Sequence, residues 1–141
     1  MAVAYHPQQA SIVTVDFDQG FVPPEMVKRR LAVVLSPAIQ ARPGLCTVVP
    51  LSRTGPKKVM PYHCELHIPF NMPQKWGNVA RWVKGDMVCA ISLHRIDLLR
   101  LGKDKNGERI YQKAPLPVED FKRVRTCVLH GLGLSSLTKS L

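Results

Sequence analysis

The sequence predicts a mainly-β domain that ends in a single α-helix. Short apolar or alternating segments are separated by turn-rich stretches that contain many of the 12 Pro and 9 Gly. Asn106-Gly107 is a strong hairpin signal, because both residue types tolerate positive φ. After the hairpin, Phe121, Val124 and Val128 recur at helical spacing. Together these patterns favour a small β-barrel or sandwich with a terminal helix.

Six segments have the length and apolar pattern of strands. They are residues 11–18, 30–36, 45–51, 62–68, 78–83 and 86–93. A protruding hairpin is expected over residues 98–113, and its basic residues would offer a second contact surface. The helix is expected over residues 118–130, because Pro117 suits the first turn and the acidic residues that follow complement the helix dipole.

One domain accounts for the whole chain of 141 residues. We expect a flexible segment over residues 1–10, the folded domain over residues 11–132, and a frayed tail over residues 133–141. Residues 1–10 lack the apolar stretch of a signal peptide, and no apolar run is long enough to span a membrane. These absences predict a cytoplasmic protein without a membrane association.

The charge balance predicts a polyanionic partner. Twenty Lys and Arg face ten Asp and Glu, which gives a formal net charge of +10. Nucleic acid, or an acidic protein that mimics it, is the first candidate for such a basic chain, although a charge excess can also serve solubility alone. The four cysteines have no close pairing in sequence, so we interpret them as reduced thiols in a cytosolic protein.

No nucleotide-binding or zinc-peptidase motif is present, so no cofactor is expected. His63, Glu65 and His67 share one face of a predicted strand and could bind a metal, but such a face is more often solvated, and we predict no metal site. RNA cleavage needs no metal when the 2′-hydroxyl attacks the neighbouring phosphorus. The protein then supplies a base, an acid and a cation for the developing charge.

Candidate groups for that chemistry stand at strand ends, where a rigid scaffold can present them. Residues 28–30 (Lys-Arg-Arg) precede one buried strand, and residues 52–54 (Ser-Arg-Thr) follow the next. Arginine suits the cation's role, because its planar fork matches phosphate. The alternative is that these basic runs are ordinary solvated surface.

Several segments in this order resemble the PemK/MazF family of toxins. They are VDFD at residues 15–18, Glu25, Arg30, AVVLSP at residues 32–37, and VVP at residues 48–50 with Ser52 close behind. The resemblance is strong over residues 11–52 and loose over residues 62–97. Leu31 departs from the family's usual proline, and Ser52 stands where threonine is usual.

The resemblance implies an SH3-like β-barrel of the PemK/MazF/CcdB type, a homodimer, and an endoribonuclease that cleaves single-stranded mRNA without metal or cofactor. It also implies inhibition by a cognate acidic antitoxin. The family's catalytic positions correspond to Arg30, Ser52, Glu25 and, by a weaker match, Asp86. We expect RNA contacts from six basic residues. They are Lys28, Arg53, Lys57, Lys58, Arg81 and Lys84.

Two other functions stay open at this point. Leu31 and the added hairpin are compatible with a nucleic-acid-binding SH3-like module that lacks catalysis, such as a degenerate toxin or a regulator. A protein-targeting toxin with the same architecture, such as the gyrase poison CcdB, shares the expected fold but not these motifs.

Overall fold

Eight strands and one long helix make up the protein, of which the structure, a computed structural model, describes residues 3–141. The strands are β1 (Ile12–Asp16), β2 (Arg29–Val34), β3 (Leu45–Ser52), β4 (His63–Leu66), β5 (Arg81–Lys84), β6 (Cys89–Ser92), β7 (Ile96–Lys103) and β8 (Arg109–Gln112). The helix is α1 (Val118–Gly131). The three short 3-10 helices are Gly85–Met87, Leu93–Arg95 and Ser135–Ser140. We call the first of them the acidic turn, because it carries Asp86.

The strands form one antiparallel sheet in the order β4-β5-β3-β2-β1-β7-β8, with β6 pairing to β3 off this path. The expected mainly-β class with a terminal helix and an added hairpin is confirmed. The sheet does not close into a complete barrel, because within residues 3–141 no ladder joins β4 to β8. The eight residues of β3 explain the branching: its first half pairs with β6 and its last two residues pair with β5.

Apolar side chains cover both faces of the central strands. Leu31 and Leu51 point towards α1, where they join a cluster that includes Phe121 and Val124. Ala32 and Val34 point the opposite way, into a second cluster built around Val15, Phe17 and Val48. Since neither face of β2 meets water, the sequence RLAVVLS is a continuous apolar run rather than an alternating one.

The expected hairpin forms from β7 and β8, but its turn differs from a two-residue Asn-Gly turn. Asp104 N donates to Glu108 O at 2.8 Å, which leaves three residues in the loop. Gly107 has a φ of +79°, whereas Asn106 has no positive φ. The Asp104 carboxylate accepts from Asn106 N at 2.8 Å and from Glu108 N at 3.0 Å, and this side-chain bonding favours the longer loop.

The described segments before β1 and after α1 make backbone hydrogen bonds to neighbouring elements. Met1 and Ala2, part of the segment expected to be flexible, lie outside the described residues. Val3 N donates to Ile96 O, and Ala10 N donates to Val34 O. After α1, Ser135–Ser140 form a 3-10 helix where the sequence predicts a frayed tail. No helix among residues 3–141 is long and apolar enough to cross a membrane.

Candidate active site

Arg30 and Ser52 stand at the ends of two paired strands. The ladder between β2 and β3 pairs Ala32 with Pro50 and Val34 with Val48, and the same register extended by two residues would bring Arg30 across from Ser52. By alternation alone both side chains would face the second cluster. Arg30 also lines a cleft with Leu31 and Leu51 of the first cluster, so its surroundings are not confined to that face.

The guanidinium of Arg30 is anchored to the loop that precedes its strand. Its Nε donates to Val27 O at 3.2 Å. Among residues 3–141 no group accepts from its two Nη atoms. An arginine has five N–H donors in a planar fork, so most of them stay available for an anion such as phosphate.

Ser52 is a buried polar residue, with 8% of its surface exposed. Its Oγ accepts from Thr54 N at 3.1 Å, which fixes the side chain at the start of the following bend. Within the described residues its hydroxyl proton has no acceptor. Ser52 can therefore donate that proton to a ligand that reaches the strand end.

Glu25 and Asp86 line the same cavity, which has a volume of about 460 Å³. Phe17 and Met26 also line it, and both belong to or pack against the second cluster. The cavity therefore opens beside the second cluster. Glu25 is held by its own loop, since its Oε2 accepts from Val22 N at 2.7 Å.

Asp86 is positioned by two glycines in close contact. A Cβ on Gly85 would lie 2.5 Å from the carbonyl oxygen of Cys127, and a Cβ on Gly131 would lie 2.5 Å from the carbonyl oxygen of Gly85. Only glycine allows this approach between the acidic turn and the last turn of α1. The contact could not be found from sequence, because Gly85 resembles an ordinary loop residue and Gly131 an ordinary helix stop.

The surroundings of Asp86 include a neutral histidine. His63 Nδ1 accepts from Met60 N at 3.1 Å, which requires an unprotonated Nδ1. Burial lowers the pKa of His63, the charge of Lys84 lowers it further, and Asp86 opposes both effects. The predicted RNA-binding residue Lys84 thus lies in the neighbourhood of the acidic turn, across from His63 on the ladder between β4 and β5.

Three other predicted RNA-binding lysines lie in loops. Lys28 has a φ of +72°, a left-handed conformation that is uncommon for a residue other than glycine, and its carbonyl accepts from Phe17 N at 2.9 Å. Strained backbone of this kind often accompanies functional loops. Lys57 and Lys58 are exposed in the loop between β3 and β4.

Arg53 and Arg81 lie in a separate cleft of about 210 Å³, which Arg30 also lines. Arg53 is exposed, whereas Arg81 has only 3% of its surface exposed. Both guanidinium groups donate to the carbonyl oxygen of Trp76. Trp76 and Lys75 were not predicted as site residues, because residues 69–77 have the composition of an ordinary connecting loop. The signal that could have identified them is a tryptophan next to a lysine in a polar loop.

The described residues therefore group the catalytic candidates in two places. Glu25 and Asp86 line one cavity, and Arg30 lines another with Arg53 and Arg81. Ser52 stands opposite Arg30 by register. Residues 3–141 contain no cluster of three or more His, Cys, Asp or Glu side chains arranged to hold a metal ion.

Comparison with known proteins identifies the family. Residues 8–130 match the family described as PemK-like, MazF-like toxin of type II toxin–antitoxin systems. The chain belongs to this family. The resemblance inferred from its sequence motifs is confirmed.

Two curated relatives of this PemK-like, MazF-like chain have no assigned function. It is 29% identical over 136 residues to the putative uncharacterized protein YifN of Escherichia coli, which covers 94% of this chain and 86% of the relative. It is 30% identical over 151 residues to an uncharacterized protein of Haemophilus influenzae, which covers 97% of this chain and 98% of the relative.

Solved structures show the same fold at low sequence identity. A MazF crystal structure from Deinococcus radiodurans has a TM-score of 0.62 and 23% identity, and the match covers 92% of this chain and 98% of that one. A MazE–MazF structure from the same organism has a TM-score of 0.58 and 24% identity, over 93% and 99% of the two chains. A mycobacterial endoribonuclease in complex with its cognate antitoxin has a TM-score of 0.54 and 12% identity, over 91% and 96%.

Proposed function

We propose that this PemK-like, MazF-like protein is a metal-independent endoribonuclease toxin that cleaves single-stranded mRNA in the cytoplasm. The observation that carries the proposal is Arg30 at a strand end next to Ser52 by register, with guanidinium Nη donors that no group among residues 3–141 accepts. This arrangement offers a fixed cation and a hydroxyl donor, and Glu25 and Asp86 offer carboxylates in a separate cavity of residues 11–132, which we take as the catalytic domain.

The proposed reaction uses the nucleophile that RNA itself carries. A base, for which Glu25 and Asp86 are the candidates, takes the proton of the 2′-hydroxyl, and the 2′-oxygen attacks the adjacent phosphorus. The bond to the 5′-oxygen then breaks, that oxygen receives a proton, and a 2′,3′-cyclic phosphate is left. Arg30 stabilises the charge that develops on the phosphoryl oxygens, and Ser52 donates a hydrogen bond to them.

The proposed partners follow from the family and from the charge. The similar structures include one named a MazE–MazF complex and one named an endoribonuclease with its cognate antitoxin. With a net charge of +10, this chain is suited to bind single-stranded RNA and an acidic antitoxin at overlapping surfaces. We also propose a homodimer, since an isologous pair is the commonest assembly; light scattering at tens of micromolar should give twice the mass of one chain.

The experiment is incubation of purified protein with a synthetic single-stranded RNA in EDTA, followed by gel and mass analysis of the products. Discrete fragments that end in a 2′,3′-cyclic or 3′-phosphate are expected from the native protein and not from Arg30→Ala. Retarded but intact RNA would instead support a binding module without catalysis. Cleavage that strictly requires added Mg²⁺ would contradict the mechanism.

A further inference from the structure

Three cations surround one tryptophan in the cleft next to Arg30. Arg53 Nη2 donates to Trp76 O at 2.7 Å, and Arg81 Nη2 donates to the same oxygen. Lys75 Nζ lies 5.6 Å and Arg81 Cζ lies 5.9 Å from the centroid of the Trp76 ring. Two guanidinium groups and an ammonium group thus converge on a single residue that carries no negative charge.

Arg81 is the least compensated of these cations. It is 3% exposed, and its Nε is buried without a hydrogen-bond partner. Burial and the neighbouring charge of Arg53 both lower the pKa of Arg81. A buried charge that lacks a partner is costly, so native proteins place it where an anion can reach it.

Carboxylates of the described residues do not neutralise this cleft. In residues 3–141 the ion pairs that the structure shows are those of Arg29 with Asp16 and with Asp97. None involves Arg53, Lys75 or Arg81. The charge of the cleft is therefore available to an anion from outside the chain.

We propose that this cleft is a phosphate-binding subsite that holds a non-scissile phosphate of the RNA strand, next to the phosphate that Arg30 binds. The inference rests on the proposed function for the identity of the anion. Arg30 lines the same cleft of about 210 Å³, so a phosphate inside it adjoins the one at Arg30. Leu31 and Leu51 also line the cleft and form its apolar wall, and hydrogen bonds from guanidinium groups to an anion are strong in a setting of low polarity.

The shape of the surrounding surface favours a nucleic-acid strand over an isolated anion. A second cavity of about 470 Å³ shares Lys75 and Trp76 with the cleft and continues to Arg100; Asp97, ion-paired with Arg29, also lines it. The two cavities together offer cations on both sides of an aromatic residue. That combination of basic groove and aromatic side chain is typical of single-stranded RNA sites.

The first test uses inorganic phosphate as the probe. Thermal unfolding is measured in phosphate and in chloride of equal ionic strength for the native protein, Arg81→Met and the exposed control Lys139→Met. Phosphate should raise the Tm of the native protein and of Lys139→Met, and should raise that of Arg81→Met less, since only the phosphate site at Arg30 remains. In chloride Arg81→Met should be at least as stable as the native protein, because Trp76 O still accepts from Arg53.

A phosphate response of Arg81→Met as large as that of the native protein would overturn the proposal. If Arg81→Met does not fold, Arg53→Gln provides the same test, since it removes the second guanidinium from an exposed position and should reduce the phosphate response relative to Lys139→Met.

The second test separates RNA from other anions and from catalysis. Binding of a single-stranded RNA in EDTA is followed by fluorescence anisotropy at several salt concentrations. Arg81→Met should weaken binding about 10-fold and lower the slope of log affinity against log salt concentration by about one, while Lys139→Met changes binding much less. Unchanged RNA affinity together with a reduced phosphate response would assign the cleft to another anion, such as a protein carboxylate, and would overturn the RNA assignment. If binding weakens but the native protein cleaves no RNA, the subsite stands and the proposed activity fails.

Discussion

Arg29 and Arg30 are adjacent in the chain but differ in their partners. Arg29 forms ion pairs with Asp97 at 3.2 Å and with Asp16 at 3.7 Å, and its side chain is 40% exposed. Arg30 has one backbone acceptor and no carboxylate partner among residues 3–141. The first arginine therefore contributes to stability, and the second is available for chemistry.

Single alanine substitutions should separate these two roles. Arg29→Ala should lower the free energy of unfolding by up to about 1 kcal/mol, with a smaller effect at high salt, because exposed ion pairs are weak and screened. Arg30→Ala should leave stability nearly unchanged and reduce cleavage about 10²–10³-fold, as the loss of a preorganised donor does elsewhere. Urea denaturation and an RNA cleavage assay measure the two effects.

The assignment of stability to Arg29 and catalysis to Arg30 would be wrong if Arg29→Ala lost cleavage or if Arg30→Ala lost stability instead. An Arg29→Ala protein that is stable but inactive would show that the motif is aligned one residue too late. Arg30→Lys is the matched control, because it keeps the charge and loses the planar fork, and it should give an intermediate rate.

The four free thiols should differ in reactivity. A hydrogen bond with Cys127 lowers the pKa of Cys64 to about 7, whereas burial raises the pKa of Cys46 to about 11. Since the thiolate is the reactive form, alkylation by iodoacetamide at about pH 7.5 should label Cys64 before Cys46 and before Cys127, whose pKa its hydrogen bond with Cys64 raises. Mass spectrometry of timed samples measures the order.

The control for this reactivity removes the partner thiol. Cys127→Ala should raise the pKa of Cys64 and shift its labelling rate to higher pH, while leaving Cys46 unaffected. Equal labelling rates for Cys64 in both proteins would show that the hydrogen bond does not set its acidity.

At the residue scale the sequence indicated candidates for some of the site and not for the rest. Apolar runs placed residues 28–30 and 52–54 at strand ends, which is a local pattern, and the family resemblance singled out Arg30 and Ser52 within them. The burial of Arg81 beside Trp76 was not, because it depends on how the loop between β4 and β5 folds over the sheet. The sequence contains no local signal for such a contact.

At the scale of elements, the contact between the acidic turn and α1 is the most sensitive to substitution. Gly85→Ala should lower the free energy of unfolding by about 1–3 kcal/mol, because its Cβ would overlap the backbone oxygens of Cys127 and Tyr62. Neither oxygen belongs to a flexible side chain, so the helix itself must move. Chemical denaturation of the purified variant provides the measurement.

Substitution of a second glycine, Gly107, tests whether the loss of stability expected for Gly85→Ala comes from lack of space or from backbone conformation. Gly107 has a positive φ, and a Cβ added there would have no neighbouring atom within 4 Å, so Gly107→Asn should cost well under about 1 kcal/mol. If Gly85→Ala proves as mild as Gly107→Asn, the close packing of the acidic turn is not important for stability.

Element types were more predictable than element bounds. The helix was expected at residues 118–130 and spans Val118–Gly131, because capping and periodicity are both local signals. Residues 86–93 were expected as one strand, yet their first part belongs to the acidic turn and only Cys89–Ser92 pair with β3. The packing of that turn on α1, a contact between distant segments, accounts for the difference.

At the scale of the whole molecule, the excess of positive charge should dominate RNA affinity. Lys57→Ala combined with Lys58→Ala should weaken binding almost uniformly across RNA sequences and make the salt dependence shallower, because fewer counterions are released. Anisotropy titrations at several salt concentrations measure the slope. An unchanged slope would place the loop between β3 and β4 away from the path of the RNA.

The fold class was predictable at this scale, but the open sheet was not. Alternation, turn signals and the change of period at the C-terminus suffice for a mainly-β domain with one helix. Whether the sheet closes depends on which edges meet, and β3 shares its length between β5 and β6. Nothing in the residues of β3 itself specifies two partners.

The contact between Gly85 and Gly131 also has a consequence for the order in which the protein is made. The acidic turn is held by Tyr62, whose carbonyl accepts from Gly85 N at 2.9 Å, and by a segment that the ribosome adds 46 residues later, as the positions of the two glycines show. While the chain is still being translated, the turn that carries Asp86 therefore lacks its contact with α1. A nascent chain would lack this part of the candidate site until residue 131 has been added.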